Sequence, residues 1–169
     1  TLFRSQLNNE LFLALAKIID TRDPYVRGHA EQVATYAVGT AEKLGLTGTQ
    51  LDALRQAALL HDIGKLGIAE AILQKPSPLT PEEYEIVKSH ALVGSNFLET
   101  SQGLRHLVPI IKYHHERWDG SGYPENLRGE EIPLGARILA VCDAIEAMAS
   151  DRPYRKGLPA AAILGELKK

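Results

Sequence analysis

The chain has 169 residues, a length that suits one domain and lets it bury roughly two thirds of its unfolded surface. Hydrophobic residues make up 44% and charged residues 24%, and the formal charge of −2 excludes a general DNA or RNA binder that works through a basic surface. The single cysteine, Cys142, excludes an internal disulfide and a thiolate-rich zinc site, and it fits a reducing, cytoplasmic compartment. No apolar run reaches the roughly 18 residues of a membrane span, and no signal-peptide pattern opens the chain.

Helical periodicity dominates. Leu7, Leu11, Ala14 and Ile18 form a stripe that ends near Asp20. It suits a first bundle helix or, over residues 1–20, the continuation of an upstream linker helix able to support a homodimer. A second helix is predicted from about Pro24 to Leu44, with Val33, Ala37 and Ala41 on one face and Gly45 as its stop. Thr49 is placed to cap a third helix through Leu54, Ala58 and His61, interrupted after Asp62 by Gly64. Gly67 to Pro78 reads as a connection.

Thr80-Pro81-Glu82-Glu83 is a helix start with a capping box and an early proline, predicting a helix through Ile86, Val87 and His90 to about Leu98. The next helix is expected over about Leu104 to His115, kinked or delayed by Pro109. From Trp118 to Pro133 the glycines and prolines Gly120, Gly122, Pro124, Gly129 and Pro133 spell a long loop, the kind that tends to carry function. Pro133 opens a helix through Leu139, Asp143 and Met148, and a last helix begins near Pro159. No strand, repeat or low-complexity tract is evident. The expected fold is all-α, a bundle of about six to eight helices with no significant sheet, forming a single domain over residues 1–169.

Five of the six histidines stand where ligands would. His61-Asp62 and His114-His115 are adjacent pairs at helix ends, and neighbouring helical side chains diverge by about 100°, so each pair can serve two centres. His29 and His90 lie on apolar-faced helices, and Asp143 interrupts the apolar run from Ile138 to Cys142, where an unpaired carboxylate is costly. Each has an ordinary reading alone: a hydrogen-bonded core histidine, a buried acid paired with Arg137, a solvated helix end. Binding cations resolves all of them at once. His106, outside any motif, reads as a surface histidine.

Seven nitrogen and oxygen ligands, His29, His61, Asp62, His90, His114, His115 and Asp143, exceed the four of a closed structural zinc site. They suit two metals sharing a carboxylate, most naturally Asp62. Ligation without thiolates points to iron or manganese, with zinc, nickel or magnesium as alternatives. Paired metals about 3.5–4 Å apart commonly clamp a phosphoryl oxygen, which directs attention to phosphoester hydrolysis.

His61-Asp62 with Gly64-Lys65, together with the run His114-His115-Glu116-Arg117-Trp118-Asp119-Gly120-Ser121-Gly122-Tyr123-Pro124, resembles the HD-GYP subgroup of the HD superfamily. The likeness extends from about Asp20 to Arg155 and includes Lys75 to His90 and Asp143 to Arg155. The resemblance implies an HD-type helical bundle and a metal-dependent cyclic di-GMP phosphodiesterase that yields the linear dinucleotide and, with further cleavage, GMP. It implies that His29, His61, Asp62 and Asp143 surround one metal and His90, His114 and His115 the other, with Asp62 bridging and acting in catalysis. Lys65 would reach the scissile phosphate, and Arg152 and Arg155 would hold phosphates or a guanine edge. Phosphates need fixed cations, and arginine's planar fork suits both targets.

Tyr123 can stack on a base or fill a hole beneath the loop, and Glu116 and Asp119 suit bracing the loop better than binding metal. Some members carry a third-metal Glu one turn before the first histidine; Tyr25 stands there, predicting a two-metal centre. The chain starts at Thr1 and stops at Lys169, earlier than such domains usually finish, so an upstream sensory or receiver domain and a truncated end are expected. Two rivals remain: a phosphohydrolase for a related cyclic dinucleotide or mononucleotide, and a cyclic di-GMP-binding sensor with little turnover.

Overall fold

The structure is a computed structural model that describes residues 2–22, 28–151 and 156–168, with side chains from residue 10 onward. Its described residues form nine α-helices and no strand. They are α1 Leu2–Asp20, α2 His29–Lys43, α3 Thr49–Leu60, α4 Glu70–Leu73, α5 Pro81–Lys88, α6 His90–Glu99, α7 Val108–Lys112, α8 Leu134–Ala149 and α9 Ala160–Glu166. Short 3₁₀ turns cover Ile63–Gly67, Arg105–Leu107 and Gly129–Glu131. The all-helical class is the expected one, and no described helix is long and apolar enough to cross a membrane.

Small residues at helical spacing set the packing. Ala30, Ala34, Ala37 and Ala41 put a narrow stripe on α2, so α3 and α8 approach it closely. Phe12, Ala16 and Ile19 of α1, Leu54 and Ala58 of α3, and Leu139 of α8 close the same core. Each large side chain buried there contributes about 1.5–3 kcal/mol by leaving water. Packing of α6 on α7, and of α7 on α8, extends the bundle toward the glycine-rich loop.

Several element boundaries differ from expectation for local reasons. Gly48, at φ +53°, takes the N-cap of α3, so Thr49 is its first helical residue and makes no side-chain cap. The Thr80 capping box forms, but the helix it starts breaks at Ser89, dividing α5 from α6. The predicted Leu104–His115 helix is a 3₁₀ turn followed by the five-residue α7, because Pro109 sits in the first turn and delays regular geometry. α2 begins at His29, after Gly28 in the left-handed region; the expected start at Pro24 lies outside the described residues.

Candidate metal centre

Five parts of the bundle deliver their ligand-type side chains to one place: His29 from the start of α2, His61 and Asp62 from the end of α3, His90 from the start of α6, His114 and His115 from just beyond α7, and Asp143 from α8. Gly64 makes part of this possible. The turn that follows Asp62 crosses the start of α6 so closely that a Cβ at Gly64 would collide with the His90 carbonyl and the Gly94 amide. That contact brings His61-Asp62 beside His90.

Three of the histidines are held in the same way. His61 Nδ1 donates to the Ala58 carbonyl at 2.8 Å, His90 Nδ1 to Val87 at 2.7 Å and His114 Nδ1 to Ile111 at 2.6 Å. Each acceptor lies one or two residues before the end of α3, α5 or α7, where carbonyls lack an intrahelical donor. The bond satisfies that carbonyl, fixes the tautomer and presents Nε2 to the interior. Three helix C-termini, the negative ends of their dipoles, thereby face a common centre suited to positive charge.

His29 stands at the start of α2 and is held by a side chain. Its Nδ1 donates instead to Glu146 Oε2 at 2.5 Å, and Glu146, 5% exposed, also accepts from Ser150 Oγ. Asp20 Oδ2 accepts the Gly28 amide at 2.9 Å and tethers the entry to α2. Sequence reasoning missed Glu146, yet a signal was present. It stands three residues after Asp143 on one helix, so both acids share a face.

The facing nitrogens and oxygens fall into overlapping groups: His29, His61 and Asp143; His90, His114 and His115; and His61, Asp62 and His114, the ligand-type atoms within each lying no more than 4.8 Å apart. Asp62 stands between the first two. Its Oδ2 is 3.6 Å from His61 Nε2 and its Oδ1 is 3.5 Å from His90 Nε2. His29 Nε2 is 3.2 Å from Asp143 Oδ1 and 3.3 Å from His61 Nε2, while His115 Nε2 is 3.2 Å from His90 Nε2. Nitrogens turned toward one another at such distances, with Nδ1 of three rings already committed, call for a cation. His114 Nε2 makes the same point: it is buried and has no hydrogen-bond partner among the described residues. The donor set of imidazoles and carboxylates fits metal ions.

Electrostatics separates the two sides. His29 is held at about 10: burial opposes its charge, but the hydrogen bonds to Asp143 and Glu146 outweigh burial. Asp143 lies well below the usual carboxylate range, since His29 and His61 overcome the cost of burial. Asp62 is likewise held well down, against burial, by Lys65, His61 and His90. On the other side, burial and then neighbouring imidazoles push His115 down to about 4 and His114 well below its ordinary value. Those rings offer neutral lone pairs.

Lys65 Nζ stands 2.6 Å from Asp62 Oδ2. Tyr123 stacks on His115, with centroids 4.8 Å apart and planes inclined by 29°. The loop that carries it, which contains a cis Tyr123–Pro124 bond, folds back onto the histidine pair. A Cβ at Gly122 would strike the backbone of His115 to Arg117, and the Tyr123 amide donates to the His115 carbonyl at 3.2 Å. Glu116 braces the loop as expected, accepting the amides of Glu125 at 2.7 Å and Leu127 at 3.0 Å, while Asp119 accepts from the Ser121 amide and hydroxyl. His106 is exposed and apart from the centre. Arg152, Arg155 and Tyr25 lie outside the described residues.

A family model described as HD domain matches residues 14–169. The chain is 42% identical over 152 residues to a cyclic di-GMP phosphodiesterase of Thermotoga maritima, covering 89% of this chain and 41% of that one. It is 41% identical over 146 residues to a 3′3′-cGAMP-specific phosphodiesterase of Vibrio cholerae, covering 86% of this chain and 32% of that one. The chain thus spans well under half the length of these curated relatives. Among solved structures, an HDG"Y"P protein from Bdellovibrio bacteriovorus superposes with a TM-score of 0.68 at 26% identity, over 82% of this chain and 44% of that one. Motif, helical architecture and the paired histidine groups around Asp62 agree, and the chain belongs to the HD-domain family.

Proposed function

We propose that this domain is a cytoplasmic, metal-dependent phosphodiesterase that opens cyclic di-GMP to the linear dinucleotide and, with further cleavage, yields GMP. The observation that carries this reading is the placement of Asp62, one carboxylate oxygen toward each histidine group. His29, His61, Asp62 and Asp143 would hold one divalent cation, and His90, His114 and His115 the other, with Asp62 shared. Two iron or manganese ions are the best match to these ligands, with zinc, nickel or magnesium as alternatives. Bound there, they supply Lewis acidity for a phosphoryl oxygen and a water acidic enough to attack phosphorus near neutral pH.

The protein's own groups do the rest. Lys65, already beside Asp62, reaches the phosphate and offsets charge growing on its oxygens. Arg152 and Arg155 bind phosphate or a guanine edge. Tyr123 fixes the orientation of His115 by stacking on it, and substrate meets its remaining surface. The domain belongs to a longer signalling protein with an upstream sensory or receiver domain, and exposed Leu11 and Ile18 on α1 suit a helical homodimer contact.

Relatives of similar identity named for cyclic GMP–AMP make that dinucleotide a second substrate to consider. Anaerobic purification with metal quantification, then hydrolysis assays on the parent and on Asp62→Ala, tests the proposal. Two metal equivalents and ring opening of cyclic di-GMP are expected, with Asp62→Ala lowering kcat/KM by about a thousandfold or more. Three equivalents would contradict the two-metal centre. Intact cyclic di-GMP after incubation with fully loaded protein would overturn the activity and favour a binding-only sensor.

A further inference from the structure

Beside His115 the surface opens into a cavity of about 560 Å³, well within the size range of small-ligand sites. One wall comes from α5 through Tyr84 and Lys88; the other comes from the loop through Arg117, Ser121 and Tyr123. His115 belongs to both places, since it lines this cavity and its Nε2 faces His90 in the metal-type cluster. A phosphodiester at that cluster therefore has room for an attached nucleoside on this side.

The walls are chemically particular. Tyr84 leaves 52% of its surface exposed, which gives a ring face to stack upon. Lys88 Nζ lies 5.4 Å from the Tyr84 ring centre and 5.6 Å from that of Tyr123, so a positive charge spans the two walls even though Glu85 pairs with it. Arg117 is the directional element. Its Nε donates to Ser121 Oγ at 2.9 Å, and Asp119 lies 3.7 Å away. These contacts orient the guanidinium while its Nη groups make no hydrogen bond among the described residues. A flat pair of donors matches the O6 and N7 acceptors of guanine. Adenine presents an amino donor in place of O6 and leaves one of those donors unmatched.

We propose that this cavity seats one guanine nucleotide of the cyclic dinucleotide, stacked on Tyr84 and read by Arg117, and so selects which linkage reaches Asp62. The inference rests on the cyclic-dinucleotide phosphodiesterase reading above. Because only one base is read here, a mixed guanine–adenine ring enters in a single orientation and is cut at one defined linkage, whereas cyclic di-AMP is a poor substrate.

The test uses Mn²⁺-loaded parent, Arg117→Gln and Tyr84→Ala proteins. Arg117 is largely exposed, with 67% of its side chain in solvent, so the first variant keeps its fold. Calorimetry with GMP and AMP reads the cavity without turnover, and kinetics with cyclic di-GMP, cyclic di-AMP and 3′3′-cGAMP read the reaction. Bis(p-nitrophenyl) phosphate, which has no base, reports the metal centre. The parent should prefer GMP over AMP and open 3′3′-cGAMP at one linkage. Arg117→Gln should abolish the GMP preference and lower kcat/KM for cyclic di-GMP by about tenfold to a hundredfold, mainly through KM. Tyr84→Ala should weaken GMP and AMP binding alike. An unchanged GMP preference and cyclic di-GMP KM in Arg117→Gln would overturn the inference, as would an AMP preference in the parent. If the parent cleaves bis(p-nitrophenyl) phosphate but no cyclic dinucleotide, the substrate reading fails, and nucleotide calorimetry still decides the cavity.

Discussion

The two ends of the centre are assembled by different means. At the His29 end, a charged imidazole lies between Asp143 and Glu146, so the group is held together by opposite charges even before a cation arrives. At the other end, His90 and His114 are buried and His115 is half-buried, all three have depressed pKa values, and His114 Nε2 has no hydrogen-bond partner among the described residues. Helix-end carbonyls orient His90 and His114, and Tyr123 orients His115. The first end is a site occupied by a proton that a metal must displace. The second is a set of lone pairs with a desolvation cost only a cation relieves.

The largest effect that would sharpen this contrast is expected from Glu146. Neutralising the carboxylate that holds His29 should weaken metal at that end by about tenfold in Glu146→Gln, and by about a hundredfold in Glu146→Ala. Metal analysis after dialysis at fixed free Mn²⁺ should show one equivalent lost and the other kept. Loss of both equivalents in parallel would mean the two ends do not act separately.

The ends should also titrate in opposite directions when metal is removed. His29, raised from 6.5 to about 10, binds a proton in the folded state that the unfolded chain releases across that interval. Its contribution is therefore full below pH 6.5 and lost as pH climbs toward 10. His115, lowered to about 4, stays neutral where the unfolded imidazole takes up a proton. Its contribution is present above 6.5 and lost as pH falls toward 4. Asp62 and Asp143, both depressed, add to the loss at still lower pH. The Tm of metal-free protein should peak near pH 6.5. His29→Gln should flatten the alkaline limb, and His115→Gln the acid one. A monotonic Tm profile would break the comparison.

Sequence made different parts of this molecule visible for physical reasons. Asp143 within an apolar run and the two adjacent ligand pairs were visible because burying such groups is costly without a common partner. The Thr80 capping box was visible because it is completed within four residues. The α5–α6 break at Ser89 was hidden, since Val87 and His90 keep helical spacing across it. Glu146 and the Tyr84–Arg117 cavity were hidden as well. The first matters only because α8 lies beside His29, and the second exists only because Gly122 lets the loop close onto His115.

The smallest expected effect tests how far support for His29 reaches. Ser150 Oγ donates to Glu146 Oε1 at 2.5 Å, one bond beyond the carboxylate that orients the ring. Ser150→Ala removes that donor without altering charge, and a hydrogen bond to a carboxylate is worth about 1.5–3 kcal/mol when lost outright. Only part of that reaches the metal, because Glu146 keeps its bond to His29. The affinity at this end should fall by less than about fivefold, against the tenfold expected for Glu146→Gln, with the second equivalent unchanged. A fall as large as that of Glu146→Gln would mean that Ser150, rather than the charge of Glu146, sets the orientation of His29.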